Sequence, residues 1–203
     1  MKLTVSYDDV LLVPQYSEIE SRSEVNLGNH LDRDVYLDFP LIGSPMDTVS
    51  ELEMAVALSE AGGLAIVHRY NTVREQENIV AQAVERLGRA AALVGAAVGV
   101  KGDYVERAHA LIDAGALVIC LDVAHGDHNM VERALKSLRD KYTDTVHFMA
   151  GNVATRDGLD RLAAWGADSV RVGIGGGSIC STRIESGHGV PTLQSIFDCA
   201  QTE

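Results

Sequence analysis

The sequence predicts an α/β chain, a (β/α)8 TIM barrel of which about six βα units are present, forming one incomplete domain over residues 1–203. Three observations point there. Short runs that are apolar throughout alternate with amphipathic helical patterns, as expected for parallel strands covered on both faces. Several helical patterns stop at a glycine that leads straight into the next apolar run. Polar and reactive residues fall at the end of nearly every run, which suits a barrel, whose site is assembled from all its βα loops. An open doubly wound sheet fits the alternation equally well but gathers such residues near one switch point.

Residues 1–40, with "YDDVLLVPQYSEIESRSEVNL", contain no βα unit and are expected to run as an extended segment across the barrel's end. The units occupy 41–203. Their strands are "LIGSPM" (41–46), "LAIVH" (64–68), "LVGAAVG" (93–99), "LVICLDVA" (117–124), "HFMAGNV" (147–153) and "SVRVGIG" (169–175). Helices are expected at about 50–61, 72–88, 103–114, 127–141 and 155–165, and another starts near Pro191. The glycine stops are "EAGG", "DAGA" and "AWGAD". A closed eight-stranded barrel takes around 250 residues. The barrel is therefore expected to be unfinished.

Composition narrows the function. A formal charge of −12 without a basic run repels polyanions, so nucleic acid is not an expected partner. No stretch approaches the roughly 18 apolar residues of a spanning helix, and "MKLTVSYDDV" lacks the apolar segment of a signal peptide; no membrane association and a cytoplasmic location are expected. Three cysteines without close pair spacing make neither a disulfide framework nor a zinc site, and are expected to be reduced. Cys120, in a strand, and Cys199, on a helix, read as structural. His68, His125, His128 and His188 lie in different loops without ligand spacing and read as hydrogen-bonded or solvent-facing.

The stretch "GIGGGSICSTRIESGHGVPT" (173–192) carries the chemistry. As a dinucleotide fingerprint it fails, because Ser178 holds the third glycine position and no helix is expected before Gly189. A P-loop signature is absent. The remaining reading is a mobile loop presenting Cys180 as a nucleophile, with Arg183 and the polar Ser178, Ser181 and Thr182 nearby to favour the thiolate. The plain alternative is a small, inert loop residue.

Six motifs in order, "YDDVLLVP", "SPMDTVSE", "GGLAIVHR", "LDVAHG", "MAGNVAT" and "GIGGGSICSTRIESGHGVP", span essentially the whole chain. Together they resemble the IMP dehydrogenase / GMP reductase family of βα-barrel purine nucleotide oxidoreductases. The resemblance implies that Cys180 attacks C2 of the purine of IMP while hydride leaves to NAD, giving a covalent thioimidate that water hydrolyses to XMP. Covalent catalysis of this kind splits one difficult conversion into two steps. By the same resemblance Thr182 assists near the cysteine, Ser178 touches the nucleotide phosphate, and Ser44 and Met46 contact ribose and base. Asp122, Asn152, Arg171 and Gly173 belong to the nicotinamide-ribose side and the reacting ring. The backbone carbonyls of Gly175, Gly177 and Cys180 hold a monovalent cation, usually potassium, and the assembly is a homotetramer.

Within the family, Arg171 and the stretches "SPMDTVSE" and "AHG" look like the dehydrogenase. The direct passage through "REQENIVAQAVERLGRAAALVGAAVG" leaves no room for a regulatory module and resembles reductases and compact dehydrogenases. An NADPH-dependent GMP reductase, and a catalytically silent fragment that binds nucleotide or only assembles, stay open as alternatives. Gly176, Ser181, His188 and Thr192 depart from the residues usual in the family loop. The units that carry most phosphate-binding glycines and the hydrolytic flap are not in these 203 residues. The chain is expected to be completed by a C-terminal segment or a second chain.

Overall fold

The computed structural model describes residues 4–202. Met1–Leu3, at the head of the N-terminal segment, and Glu203, at the end of the expected domain, lie outside the described residues. A hairpin of β1 (Asn29–His30) and β2 (Tyr36–Leu37) precedes the βα units. Then come β3 (Ile42–Gly43), α1 (Leu52–Glu60), β4 (Leu64–Val67), α2 (Val73–Leu87), β5 (Val94–Val98) and α3 (Tyr104–Ala114). They are followed by β6 (Val118–Asp122), α4 (Asn129–Tyr142), β7 (His147–Val153), α5 (Arg156–Ala164), β8 (Ser169–Val172), α6 (Thr182–Ser186) and α7 (Thr192–Cys199). The sheet order is β3-β4-β5-β6-β7-β8, every pair parallel. A doubly wound sheet reverses its strand order at the switch point. This sheet never reverses and curls as a partial TIM barrel.

Local chemistry sets the ends of the helices. Thr72 and Glu75 form a reciprocal capping box at α2, with Glu75 N donating to Thr72 Oγ1 at 3.2 Å and Thr72 N to the Glu75 carboxylate at 2.9 Å. Thr155 accepts from Gly158 N at α5, and the ring of His128 accepts from Met130 N at α4. The stops at Gly62, Gly115 and Gly166 adopt φ of +82°, +104° and +105°, a conformation that side chains with a Cβ resist.

Side chains of the central strands alternate between two cores. Ala65, Val67, Ala96, Val98, Ile119, Leu121, Phe148 and Ala150 face the helices and meet Val80, Leu111, Leu135, Leu138 and Leu162. Leu64, Ile66, Ala97, Val118, Cys120 and Met149 line the concave face, which the hairpin covers with Val35 and Leu37. Each large side chain so buried contributes about 1.5–3 kcal/mol. The hairpin is also held by polar groups: His147 Nδ1 contacts the Asp32 carboxylate and Nε2 meets Ser169 Oγ at 2.7 Å. Before the hairpin the segment is uncovered, with Leu11 and Leu12 at 95% and 97% exposure.

One polar pair that enters the core is fully matched. Gln76, fully buried on α2, donates to the carbonyls of Val67 (3.2 Å) and Ala97 (2.9 Å) and accepts from Arg107 Nη1 at 2.8 Å. Arg107 Nη2 reaches the Asn71 carbonyl at 3.0 Å. These bonds fix the ends of β4 and β5 and the loop after β4.

Candidate active site

The ends of the strands gather around Asp122. Arg171, on β8, donates from Nη1 to Asp122 Oδ1 at 2.6 Å and lies 3.8 Å from the sulfur of Cys120. Arg69, just past β4, donates from Nη2 to the Asp122 carbonyl at 3.2 Å. The carboxylate is thus gripped by a cation from two strands away, and its backbone by a second. Cys120 lies beneath them with its thiol pushed up to about 11, chiefly by burial, and is an uncharged packing residue at neutral pH.

Asn152 joins this group through an irregularity. The ladder between β7 and β8 shifts register between Gly151 and Val153, so Asn152 stands out of the regular pairing. Its Nδ2 donates to the Gly173 carbonyl at 2.8 Å, and Gly173 N donates to Val153 O at 2.7 Å. Four residues assigned by resemblance to the dinucleotide side, Asp122, Asn152, Arg171 and Gly173, therefore occupy one face formed by the ends of β6, β7 and β8. Asp122 Oδ2 has no protein partner among the described residues. A free carboxylate oxygen there suits the hydroxyls of a ribose.

Beyond Gly173 the chain does not stay irregular until Gly189. The five-residue α6 begins at Thr182, two residues after Cys180, and ends at Gly187 with φ of +70°. The expectation that no helix starts before Gly189 is corrected. Ser181 before the helix and Gly187 after it were readable signals, but five residues are too few for an apolar period.

This turn serves Cys180. The half-buried thiol is held below its ordinary value first by the Thr182 hydroxyl and then by the Thr182 amide. The Gly175 amide and the charge of Arg183 add smaller effects in the same direction, and burial opposes by more than either of these two. All four stabilise the thiolate, the nucleophilic form. Cys120 and Cys199 have the opposite shift, both chiefly from burial. Among the three cysteines only Cys180 sits in an activating environment.

The backbone around the thiol is tight. Cys180 N donates to Gly177 O at 3.1 Å, and Arg183 Nη1 donates to Gly175 O at 3.3 Å. The Gly175 and Gly177 carbonyls, assigned by resemblance to a monovalent cation, thus each accept a hydrogen bond from within the loop. A Cβ on Gly176 would lie 1.8 Å from Thr192 Oγ1. Two departures from the family loop thus meet at one contact: glycine at 176 makes room for threonine at 192. A cleft of about 480 Å³ lies beside them, bordered by Tyr7, Asp8, Gly175, Arg183 and Thr192.

On the substrate side, Ser44 and Met46 lie on a compact turn after β3, with Met46 N donating to Ser44 O at 2.8 Å. Ser44 and Ser178 are exposed, and Met46 is 39% exposed. Among the described residues no hydrogen bond joins these three to Cys180 or Asp122. Arg69 was missed by sequence reasoning, although "HR" stood at a strand end, because a lone arginine in a loop carries no spacing signal.

Residues 4–203 match the model of the IMP dehydrogenase / GMP reductase domain. The chain belongs to the IMP dehydrogenase / GMP reductase family. It is 37% identical over 235 residues to the inosine-5'-monophosphate dehydrogenase of Cryptosporidium parvum, covering 97% of this chain and 58% of that protein. It is 28% identical to the corresponding dehydrogenase of Nitrosopumilus maritimus over 318 residues, covering 97% and 66%. It is 34% identical to the GMP reductase of Vibrio vulnificus strain YJ016 over 206 residues, covering 98% and 58%. The chain thus spans 58 to 66% of the length of these family members. The Nitrosopumilus alignment is much longer than this chain and the Vibrio alignment is not, so the former relative carries extra sequence between matched segments.

Proposed function

We propose that this chain is the larger part of a purine nucleotide oxidoreductase that oxidises IMP to XMP with NAD, Cys180 being the nucleophile. The activating environment of Cys180, at the strand-end mouth of a parallel partial barrel, carries this reading. The Cys180 thiolate bonds to C2 of the purine, and the hydride from C2 leaves to oxidised NAD, which is the chemistry the dinucleotide supplies when bound. Water then replaces the sulfur at C2, releasing XMP and returning the thiol. Thr182 holds the thiolate before attack and the departing sulfur afterwards, since the same hydroxyl favours the charged form in both directions.

Asp122, Asn152, Arg171 and Gly173 would hold the nicotinamide ribose; Ser44 and Met46 the nucleoside; Ser178 the phosphate. The carbonyls of Gly175, Gly177 and Cys180 would hold potassium and so order the loop. Residues 1–203 are proposed to form one incomplete barrel domain, finished by a C-terminal segment or a second chain, in a cytoplasmic homotetramer. No helix among the described residues is long and apolar enough to cross a membrane.

A second reading, reduction of GMP with NADPH, draws on the insert-free match to the Vibrio reductase, a compactness that the Cryptosporidium dehydrogenase, aligned over 235 residues, nearly shares. The test is spectrophotometric. With IMP, NAD and potassium, NADH absorbance should grow when a C-terminal complement is supplied, and a mass adduct should form on Cys180. NADPH consumption with GMP instead would establish the reductase. Neither turnover nor adduct, with or without the complement, would establish the silent fragment.

A further inference from the structure

Resting on the purine-nucleotide reading, we infer that Glu51 and His68 are positioning residues for the Ser44–Ser50 loop. They set how tightly nucleotide is held without touching it. The imidazole of His68, with only 4% of its side chain exposed, sits at the end of β4. Its Nδ1 accepts from Tyr70 N at 3.1 Å, which places the ring hydrogen on Nε2. Nε2 therefore donates to Glu51 Oε1, 2.9 Å away. The backbone of His68 makes a second tie, its N–H donating to the Ser50 carbonyl at 3.4 Å.

The other end of this link is the loop itself. Val49 N and Ser50 N both donate to the Met46 carbonyl, at 3.0 and 2.9 Å, closing a compact turn. Ser50 is fully buried at the exit of that turn, and Glu51 follows it directly. A movement of Ser50 or Glu51 therefore carries Met46 with it. Glu51 stands at the N-cap position of α1, yet its side chain makes no capping bond. The carboxylate instead reaches sideways to the next strand's imidazole. A residue serving only α1 would turn its side chain onto the helix amides. Anchoring the loop to β4 reduces the ordering that nucleotide binding must otherwise impose.

The test uses the whole chain with carbon-13 methyl-labelled methionine, the Met46 signal being assigned by M46L. E51A should move and broaden the Met46 methyl resonance, while Met130 and Met149, far along other elements, keep theirs and report intact folding. The IMP concentration that half-saturates the Met46 shift should rise about tenfold in E51A, the loss expected for one well-formed hydrogen bond. E51Q keeps the accepting oxygen and should stay within about twofold of the wild type. An unmoved Met46 signal in E51A would overturn the inference, as would E51Q failing as severely as E51A. A wild-type Met46 signal that ignores IMP even with the C-terminal complement supplied would sink the purine reading alone, because the effect of E51A on the free protein still decides the positioning role.

Discussion

Removing the Asp122 carboxylate should unpair the Arg171 guanidinium in a site it cannot easily leave. The two groups meet at 2.6 Å with side-chain exposures of 24% for Arg171 and 19% for Asp122, so both are mostly desolvated. Deleting one partner of a fully buried pair costs about 3–5 kcal/mol. Partial access of water lowers this to about 2–3 kcal/mol, since a solvated guanidinium loses less. With a urea dependence of about 2 kcal/mol per molar for a chain of this size, D122A should lower the unfolding midpoint by about 1–1.5 M. Reduced packing at Asp122 would lower it too, so the cycle of D122A, R171A and the double variant is the decisive assay. A coupling of about 2 kcal/mol between the two changes is expected. Additivity within about 0.5 kcal/mol would refute the pairing, because it would mean that each side chain loses nothing when the other goes.

Three further outcomes follow from the same geometry. The rate of Cys180 alkylation against pH should show a midpoint below that of an ordinary thiol, and T182V should move the midpoint upward by removing the hydroxyl that chiefly stabilises the thiolate; an unchanged midpoint contradicts that role. G176A drives a methyl against Thr192 Oγ1 and forces that side chain off its rotamer, at about 0.5–1.5 kcal/mol or a few degrees of Tm, while G176A/T192A should recover the loss; a double variant no better than G176A counts against the contact. Burial opposes ionisation of Asp32, but bonds from the His147 ring and the Val35 and Asp34 amides outweigh it and hold its carboxyl below the ordinary value. The stability it contributes is present above the unfolded value of about 3.9 and is lost as pH falls through the lower folded value. Urea midpoints of wild type and D32N should therefore differ most near neutrality and converge under acid, and parallel profiles would show that Asp32 anchors nothing.

The repeating units were legible because their signals are long. Six apolar runs and five amphipathic patterns each exceed the length at which period and capping agree, and glycine stops mark their ends. The strand order was not in the pattern itself; only the spread of polar residues over many strand ends favoured a barrel, and the monotonic parallel order bears that preference out. Two-residue strands such as β1 and β2 show no alternation, so the hairpin went unread. Asp32, His147 and Ser169 are 115 and 22 residues apart in their contacts, and no local spacing joins them. Cys180 was found through its motif, but what activates it, the α6 turn bringing Thr182 back onto the sulfur, is a matter of backbone path. In the sequence Gly176 is only a departure from the residue usual in the family loop. Its meaning lies in Thr192, 16 positions away, and only the folded loop puts the two together.

The measurement that bears most directly on Cys180 is its labelling by iodoacetamide, read peptide by peptide against Cys120 and Cys199, with and without IMP. Fast labelling of Cys180 alone, slowed when IMP is present, is the expected result. Labelling of Cys180 no faster than that of the two buried thiols, or a rate indifferent to saturating IMP with the C-terminal complement present, would contradict its assignment as the nucleophile of a purine site.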